Sequence, residues 1–420
     1  MTDNKELKRN TTAVIFSGWM KNALLLFSFF LLFTEKTEAQ YPAEKVPDLE
    51  ELFPVAKVAC GPWIQAVGQN EFTVVWTTNV DAIVWVEVAP DDGTHFYAKE
   101  RPKYYHSLYG RRVTGKLHRV PVTGLQKGTC YRYRIFQQAL LLDKGNKRVV
   151  LGDPNGSDIL KQLPYKVTTL NPDKNEIRFV MVNDIHANDS VFRQLTKNVH
   201  EDNTDFVVFN GDMLTQIESE QQIMDGYLNS ACELFASEIP FYALRGNHEN
   251  RGSFSYEFFN YFPAPGGNAY YAFRHGPAYF IFLDSGEDKP DSDVRFYGLS
   301  ISDQFREEEA KWLEQVIESS EFKMSPVKIV FMHMPPTERG WHGTLEVERL
   351  FMPVLNKANI DLMLSGHIHK HSYIEKGEVN NNFPILINSN LWKTEVSVSS
   401  GSLKMQLIDA SGKIRKEYSM

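Results

Sequence analysis

Cysteine is scarce in this sequence, with 3 residues in 420: Cys60, Cys130 and Cys232. None belongs to a CxxC pair, so we do not expect a zinc site built from thiolates. Cys60 and Cys130 fall in the same predicted domain. They could form a disulfide if the chain is exported, or remain free, because sequence alone carries no Cβ geometry. Cys232 lies in a predicted helix, where we expect it to act as a small buried hydrophobic side chain.

The sequence also lacks an excess of positive charge. It has 45 Lys and Arg residues against 53 Asp and Glu residues, a net charge of −8. No basic stripe is available to neutralise the phosphates of long nucleic acid, so we expect no such partner. A small phosphorylated substrate remains compatible with this charge, because bound cations reverse the local field.

Apolar runs long enough to cross a membrane comfortably are missing as well. The run at residues 23–33 is too short for that purpose and fits the core of a secretory signal peptide, with Lys21 ahead of it and a small-x-small pattern before Gln40. We expect a cleaved signal peptide at 1–40, a linker at 41–57, and a periplasmic or secreted protein with no stable membrane span. An uncleaved anchor is the alternative, and Met20 is an alternative start.

The length of 420 residues favours two folded units, and 42% hydrophobic content is ordinary for globular proteins. Residues 58–170 carry all-β signals. After Gly124, Tyr131 and Tyr133 alternate with arginines, which resembles the corner before strand F of fibronectin type III sandwiches, where a tyrosine hydroxyl bonds back to the backbone. Such a module is either a structural unit packed on the catalytic part or a binding module for carbohydrate or protein.

Residues 175–420 alternate strands with helices, the pattern of an α/β unit. The predicted strands are 177–182, 205–209, 240–245, 278–283, 327–332 and 361–364. The predicted helices are 191–200, 218–235, one that includes Trp312, and 345–358. Short β-like runs after His371 are expected to complete the second sheet of a four-layer sandwich.

Polar side chains follow five of these strands. We expect them on one edge of one sheet, where open α/β folds keep their chemistry. Buried without partners they would be costly, and two divalent or trivalent cations remove that cost. Imidazole nitrogen with carboxylate and amide oxygen, and no sulfur, suits zinc, manganese or iron. The seven predicted ligands are Asp184, His186, Asp212, Asn247, His333, His367 and His369.

In order along the chain, these residues resemble the five motifs of the calcineurin-like metallophosphoesterases, over residues 177–379. With the β unit in front, the chain is similar to the purple acid phosphatase branch. The resemblance implies an α/β/β/α sandwich preceded by a fibronectin type III-like domain. Two positions depart from that branch: Thr215 stands where its iron-binding tyrosine would be, and His186 where it usually has glycine. We therefore expect a colourless site.

The resemblance also implies roles. Asp184, His186, Asp212 and His369 would hold one metal. Asp212 would bridge to a second metal held by Asn247, His333 and His367. The expected reaction is phosphate monoester hydrolysis by a metal-bound hydroxide, with His248 protonating the leaving oxygen. A phosphodiesterase or nucleotidase is the alternative within the family. A surface binding protein with a vestigial metal site is the alternative from another class.

The loop after His333 contains candidate substrate-binding residues. Arg339 suits bidentate contact with phosphate, and His342 offers a second donor; a surface loop without substrate contact is the alternative. Glu249 either orients a neighbouring group or is a solvated cap. The insertion at 285–302, with Arg295 and Tyr297, is a candidate lid.

Overall fold

The computed structural model describes residues 53–157, 161–337 and 340–420. The predicted signal peptide, the start of the linker and Arg339 lie outside these residues. Residues 53–420 form one compact unit. Within the described ranges, no helix has the length and apolar character needed to cross a membrane.

An all-β part comes first. Its longest strand, β2, pairs with β1, β3, β6 and β7, and β7 in turn pairs with β8 and β9. Alternating apolar residues of β2, among them Trp76, point into a continuous core. The strands are β1 (Val58–Gln65), β2 (Glu71–Pro90), β3 (Lys103–Tyr105), β4 (Ser107–Leu108), β5 (Arg111–Arg112), β6 (Gly115–Thr123), β7 (Cys130–Asp143), β8 (Val149–Gly156) and β9 (Tyr165–Thr168).

The two tyrosines singled out in the sequence have distinct contacts. The Tyr131 hydroxyl accepts a hydrogen bond from the Gln126 backbone N–H at 2.9 Å, which is the back-bonded corner that the sequence predicts. The fully buried Tyr133 hydroxyl instead donates to the Ser237 carbonyl at 2.6 Å, far along the chain. Trp63 Nε1 likewise donates to the Tyr261 carbonyl at 2.9 Å. These bonds attach the β part to the α/β part.

The α/β part contains two six-stranded sheets. One has the order β12-β11-β10-β19-β20-β21 and the other β13-β14-β15-β16-β18-β17. Their apolar faces meet: the ring of Phe179 packs edge-on against those of Phe280 and Phe331. The strands are β10 (Glu176–Val182), β11 (Phe206–Asn210), β12 (Phe241–Leu244), β13 (Tyr271–His275), β14 (Ala278–Leu283), β15 (Val327–Met332), β16 (Leu362–Ser365), β17 (Ser372–Ile374), β18 (Ile385–Ile387), β19 (Trp392–Ser399), β20 (Ser402–Asp409) and β21 (Ile414–Ser419).

Helices cover the outer faces, which confirms the predicted α/β/β/α layers. Phe192 and Leu228 belong to the cluster against the first sheet, and Leu313 and Val347 to the cluster against the second. The helices are α1 (Asp189–Thr196), α2 (220–236, with two π-helical segments), α3 (Phe258–Tyr261), α4 (Ser302–Glu318), α5 (Ser320–Met324), α6 (His342–Leu350) and α7 (Met352–Leu355).

The strands after His371 are divided between the two sheets, so the prediction that they complete one second sheet is wrong. β17 and β18 extend the second sheet beside β16, whereas β19, β20 and β21 extend the first sheet beside β10. β19 runs antiparallel to β10, with Val396 opposite Phe179. Both side chains belong to the core between the sheets, and this burial fixes the placement of β19.

Candidate metal centre

The predicted ligands meet where the two sheets come together. Asp184, Asp212 and Asn247 follow β10, β11 and β12 of the first sheet, and His333 and His367 follow β15 and β16 of the second. The expectation of one edge of one sheet is therefore wrong. Two facing sheets each present the carboxyl ends of parallel strands, and together they surround a site that one edge would leave open.

The turns that carry these ligands have left-handed backbone. The φ angles of Asp184, His186 and Asp212 are 54°, 46° and 52°, and those of His367 and His369 are 68° and 60°. Positive φ is uncommon outside glycine and clusters at functional sites. A Cβ on Gly211 or Gly246 would collide with the His333 ring, and one on Gly246 also with the Asp212 carboxylate. Only glycine allows this approach of the two sheets.

One cluster joins Asp184, His186 and His369, whose ligand atoms all lie within 4.8 Å of one another. His369 Nε2 is 3.3 Å from Asp184 Oδ1, and the Nε2 atoms of His186 and His369 are 3.2 Å apart. The second cluster joins Asp212, His333 and His367 within the same limit. His333 Nε2 is 3.1 Å from Asp212 Oδ2, and His367 Nδ1 is 3.1 Å from Asn247 Oδ1.

Asp212 Oδ2 also lies 4.0 Å from His186 Nε2. This carboxylate therefore reaches toward both clusters, as a bridging ligand must. The structure brings all seven predicted ligands into one place, and their assignment as ligands stays a prediction.

The donor set fits bound cations. Within the described part of the chain, the buried atoms Asp184 Oδ1, His333 Nε2 and His367 Nε2 have no hydrogen-bond partner. Buried polar atoms are rarely left without a hydrogen bond, and His333 Nε2 here has only ion-pair contacts with Asp212 Oδ2 at 3.1 Å and Asp184 Oδ1 at 3.8 Å. Carboxylates at 2% exposure or less, as Asp184 and Asp212 are, need opposite charge nearby.

The pKa values show how the protein alone would supply that charge. Burial opposes ionisation, but His333 nonetheless holds the pKa of Asp212 well below its usual range. Burial likewise opposes a charged His333, yet Asp212 and Asp184 raise its pKa to about 10. Burial, followed by the charge of His333, lowers the pKa of His367 to about 4. A proton on His333 thus takes the place that a metal cation would fill.

The comparisons with known proteins agree with this geometry. The family model for calcineurin-like phosphoesterase matches residues 177–371. Residues 177–371 therefore match a calcineurin-like phosphoesterase domain. This confirms the resemblance inferred from the five motifs. No curated protein sequence matches the chain.

Among solved structures, one of a plant enzyme shares the overall fold, and others match part of the chain. The purple acid phosphatase PPD1 of yellow lupin (Lupinus luteus) is 14% identical, with a TM-score of 0.61, and the match covers 85% of this chain and 73% of the lupin chain. TT1561 of Thermus thermophilus is 13% identical, with 58% and 98% coverage and a TM-score of 0.34. The phosphoesterase Yfce of E. coli is 11% identical, with 58% and 98% coverage and a TM-score of 0.29. The family model and the lupin fold both cover the part of the chain that contains the candidate ligand clusters.

Glu249 supports the turns that carry the predicted ligands. From the sequence, it was either such an orienting group or a solvated cap. It is 1% exposed, so it is not a solvated cap. Its carboxylate accepts the backbone N–H groups of Asp212 and Gly246, both at 2.8 Å, and of Leu214 at 3.2 Å. Burial, followed by the charge of Asp212, raises the pKa of Glu249 to about 7. Glu249 therefore ties the turn after β11 to the turn after β12.

A second support involves asparagines that sequence reasoning missed. Asn183 Nδ2 donates to Asp184 Oδ2 at 2.6 Å, which leaves Oδ1 facing the site. Asn388, on the chain entering β19, holds Asn183 Oδ1 at 2.8 Å. His333 is oriented similarly, because its Nδ1 bonds the Asn210 carbonyl at 2.7 Å. Partners of this kind fix the direction of metal ligands, but no local motif marks residue 388.

His248 is not among the predicted ligands, but it forms a third candidate group with His186 and Asp212, whose ligand atoms also lie within 4.8 Å of one another. Its Nδ1 bonds the Thr215 carbonyl at 2.6 Å, and its Nε2 lies 3.9 Å from Asp212 Oδ2 and 3.5 Å from Arg251 Nη1. The Thr215 hydroxyl is 3.4 Å from His186 Nδ1. Thr215, at the position where purple acid phosphatases would have a tyrosine, thus contacts the ring of the predicted ligand His186 and also holds His248.

A cleft of about 1000 Å³ opens over the metal site. Trp341 is 51% exposed in its wall, edge-on to the His367 ring at a centroid distance of 5.1 Å. Arg251 and Lys289 also line it, but both are already paired with acids. Arg251 contacts Glu287 and Asp288, each at 2.8 Å, and Lys289 contacts Asp288 at 2.6 Å. Apart from the metals, this wall carries nearly balanced charge.

The predicted substrate residues are placed differently. His342 begins α6, and its Nε2 lies 2.8 Å from Asp303 Oδ1, so its imidazole already has a carboxylate partner away from the cleft lining. Arg295 of the candidate lid pairs with Asp293 at 2.7 Å. Tyr297 is exposed and lines a neighbouring groove that shares Arg251 with the cleft.

Proposed function

We propose that this chain hydrolyses phosphate monoesters. The observation that carries the proposal is the assembly of seven nitrogen and oxygen ligands, with Asp212 facing both clusters and His248 beside it. A two-metal site of this composition suits in-line displacement at phosphorus. An intact ligand set with its supports counts against a vestigial site in a binding protein.

One ion would be held by Asp184, His186 and His369. The other would be held by His333, His367 and Asn247, and Asp212 would be shared between the two ions. When bound, the two ions supply Lewis-acid charge for the phosphoryl oxygens and acidify water. The chain supplies the orientation. Glu249 fixes Asp212, and Asn183 turns Asp184 so that Oδ1 faces the ions.

His248 handles the proton of the leaving group. Because its Nδ1–H donates to the Thr215 carbonyl, its Nε2 faces Asp212 and the cleft. In the imidazolium form, Nε2 donates its proton to the ester oxygen as the bond from phosphorus to that oxygen breaks. The proton leaves with the alcohol, and the oxygen of a water molecule takes the place of the alcohol oxygen on phosphorus. Arg251 Nη1 lies 3.5 Å from Nε2 and can donate to it only after that nitrogen has given up its proton.

The cleft wall favours a substrate with one phosphate and an uncharged leaving group. Among the residues of this wall that the structure describes, Arg251 and Lys289 are neutralised by Glu287 and Asp288, so neither is a free cation for a second phosphate. The exposed Trp341 offers an aromatic face to the leaving group. These contacts support an aryl phosphate over a polyphosphate.

The test compares an aryl phosphate monoester with the matching diester. Metal-stripped protein is reloaded separately with manganese, zinc or iron. We expect metal-dependent turnover of the monoester above that of the diester. Faster diester turnover would transfer the proposal to a phosphodiesterase, and no turnover of either ester with any metal would favour a binding role.

Asp212→Asn is the matched variant for the metal-bridging role. We expect it to fold, by circular dichroism, and to lose activity, because an amide bridges two cations poorly. Unchanged turnover in this variant would contradict the two-metal arrangement.

The proposal includes export to the periplasm or outside the cell. Its support is the apolar run at residues 23–33 with the cleavage pattern before Gln40. Mass spectrometry of protein from the native host should find Gln40 at or near the N-terminus. An intact N-terminus in a cytosolic fraction would contradict export.

A further inference from the structure

Two cysteines from distant parts of the sequence meet in the interior. Cys60 is buried on β1 of the all-β part. Cys232 is half-buried and begins the second π-helical segment of α2, Cys232–Ala236. β1 packs against this segment, and the Cys60 thiol and the Gly61 backbone N–H are among the polar neighbours of the Cys232 sulfur. Both side chains belong to, or pack on, the same apolar cluster.

The surroundings hold these two elements together. Tyr133 donates to the Ser237 carbonyl, just past α2, at 2.6 Å, and Trp63 on β1 donates to the Tyr261 carbonyl at 2.9 Å. Gln65, at the end of β1, donates to the Phe241 carbonyl at 2.9 Å. The backbones bearing Cys60 and Cys232 are therefore held against each other by bonds from neighbouring residues.

The third cysteine, Cys130, lies too far from Cys60 to form a disulfide with it. Cys60 and Cys130 lie near opposite ends of β2. Cys60 is opposite Thr77 of β2. Cys130 begins β7, and the next residue, Tyr131, is opposite Pro90 at the far end of β2. A strand rises about 3.3 Å per residue, and a disulfide needs Cα atoms within about 7 Å. The Cys130 thiol contacts Asp91 at 3.8 Å instead. A bond between Cys60 and Cys130, which the sequence left open, is thus excluded by this fold.

We propose that Cys60 and Cys232 form a disulfide that joins the all-β part to α2 of the phosphoesterase domain. The oxidant is an external disulfide, either glutathione disulfide or an oxidised dithiol protein. One thiolate attacks its S–S bond, which releases one thiol and leaves a mixed disulfide. The second thiolate attacks that mixed disulfide and releases the second thiol. Two protein thiols lose two protons and two electrons, and the oxidant's disulfide gains both.

The position of the pair also predicts when the bond forms. Burial and the neighbouring Cys60 thiol raise the pKa of Cys232, so little thiolate is present in the folded protein. Oxidation should therefore be slow once the chain is folded and fast while the β1–α2 contact is still open.

The experiment uses the full chain, purified with reductant and then held in a reduced and oxidised glutathione buffer. Denaturant is added to just below the unfolding transition so that the contact opens transiently. After alkylation and digestion without reductant, mass spectrometry should find a cross-linked peptide containing Cys60 and Cys232, and one alkylated thiol, Cys130. Cys130→Ser should retain the cross-link. A Cys60–Cys130 peptide, or three alkylated thiols after full exposure to the oxidant, would overturn the proposal.

Thermal unfolding provides a second readout that does not depend on cysteine variants folding well. We expect reductant to lower the Tm of the oxidised wild type and of Cys130→Ser by roughly 5 °C or more, since a long loop is released. Cys232→Ser should show no such shift. An equal Tm with and without reductant in all three proteins would contradict a stabilising cross-link. Neither readout depends on phosphoesterase activity.

Discussion

In our proposal, His248 donates a proton to the leaving group, and the Thr215 carbonyl holds its ring in place. We expect His248→Ala to lower kcat on an aryl monoester by about 10²- to 10⁴-fold, the usual contribution of a positioned acid. Metal content, measured by atomic absorption, should stay at the wild-type level because His248 is not a predicted ligand. Loss of metal together with activity would assign His248 to the metal shell instead.

Thr215→Val is the matched control for that variant. It removes the hydroxyl near His186 but keeps the carbonyl that binds His248 Nδ1. We expect kcat within a fewfold of wild type. A loss as large as that of His248→Ala would show that the hydroxyl, and not the carbonyl, governs the site.

Glu249 positions two metal-bearing turns through three backbone N–H groups. In Glu249→Gln, the amide NH₂ cannot accept these bonds, and the turn after β11 loses part of its support. We expect metal affinity, measured by calorimetry, to fall about 10- to 100-fold, as for other supports of ligands. Glu218→Gln is the control, because Glu218 accepts the Ser253 N–H in an exposed turn. Equal affinities for both variants would contradict the positioning role.

Trp341 is expected to set leaving-group preference. Trp341→Ala should lower kcat/KM for an aryl phosphate about tenfold, or about 1.4 kcal/mol, through loss of the aromatic contact. An alkyl phosphate should lose much less, and Trp341→Phe should retain most of the aryl preference. Equal losses for both esters would indicate a structural role for the ring.

At the scale of elements, β2 and β6 bury a pair of histidines. His118 on β6 is fully buried with its Nε2 2.9 Å from the Thr78 hydroxyl, and the His106 ring lies edge-on to it. Burial lowers the pKa of His118 to about 3, and burial followed by Arg119 lowers that of His106 to about 4. Both rings are therefore neutral in the folded chain near pH 7.

These histidines predict a loss of stability in acid. Their folded pKa values lie below the unfolded value of about 6.5, so their contribution is complete above that pH and is lost as pH falls toward 4. Between pH 7 and pH 5, we expect the free energy of unfolding to fall by about 2 kcal/mol for each histidine. Urea unfolding at the two pH values measures this. His106→Gln should make this fall smaller by about 2 kcal/mol, and an unchanged slope would contradict the assignment.

The elements themselves followed the sequence closely where burial was continuous. Ala278–Leu283 and Val327–Met332 are strands at the predicted positions, because uninterrupted apolar runs have no alternative on a sheet buried on both faces. The helix predictions were less accurate. α1 ends at Thr196, four residues before the prediction, and α2 contains π-helical segments that no periodicity in the sequence indicates.

At the scale of the whole molecule, the all-β part and the α/β part share one core. We therefore expect residues 53–420 to unfold in one transition when followed by both near- and far-ultraviolet circular dichroism. Tyr133→Phe removes the bond to the Ser237 carbonyl and leaves that acceptor without its donor, at a cost of about 1–3 kcal/mol. Tyr104→Phe, whose hydroxyl bonds an exposed carbonyl at 3.3 Å, is the control. Two separate transitions would contradict a shared core.

The sequence by itself determined which side chains are candidate ligands, their order along the chain and the resemblance to a family, because each motif is a short turn next to a strand. Only the tertiary structure decided that two sheets share the site, that Asn388 supports Asp184 through Asn183, and that Cys60 meets Cys232. Those relations join residues far apart in the chain, and they depend on which faces pack together. Local pattern specifies each strand and its turn, but the contacts between sheets arise only when their apolar faces are buried together.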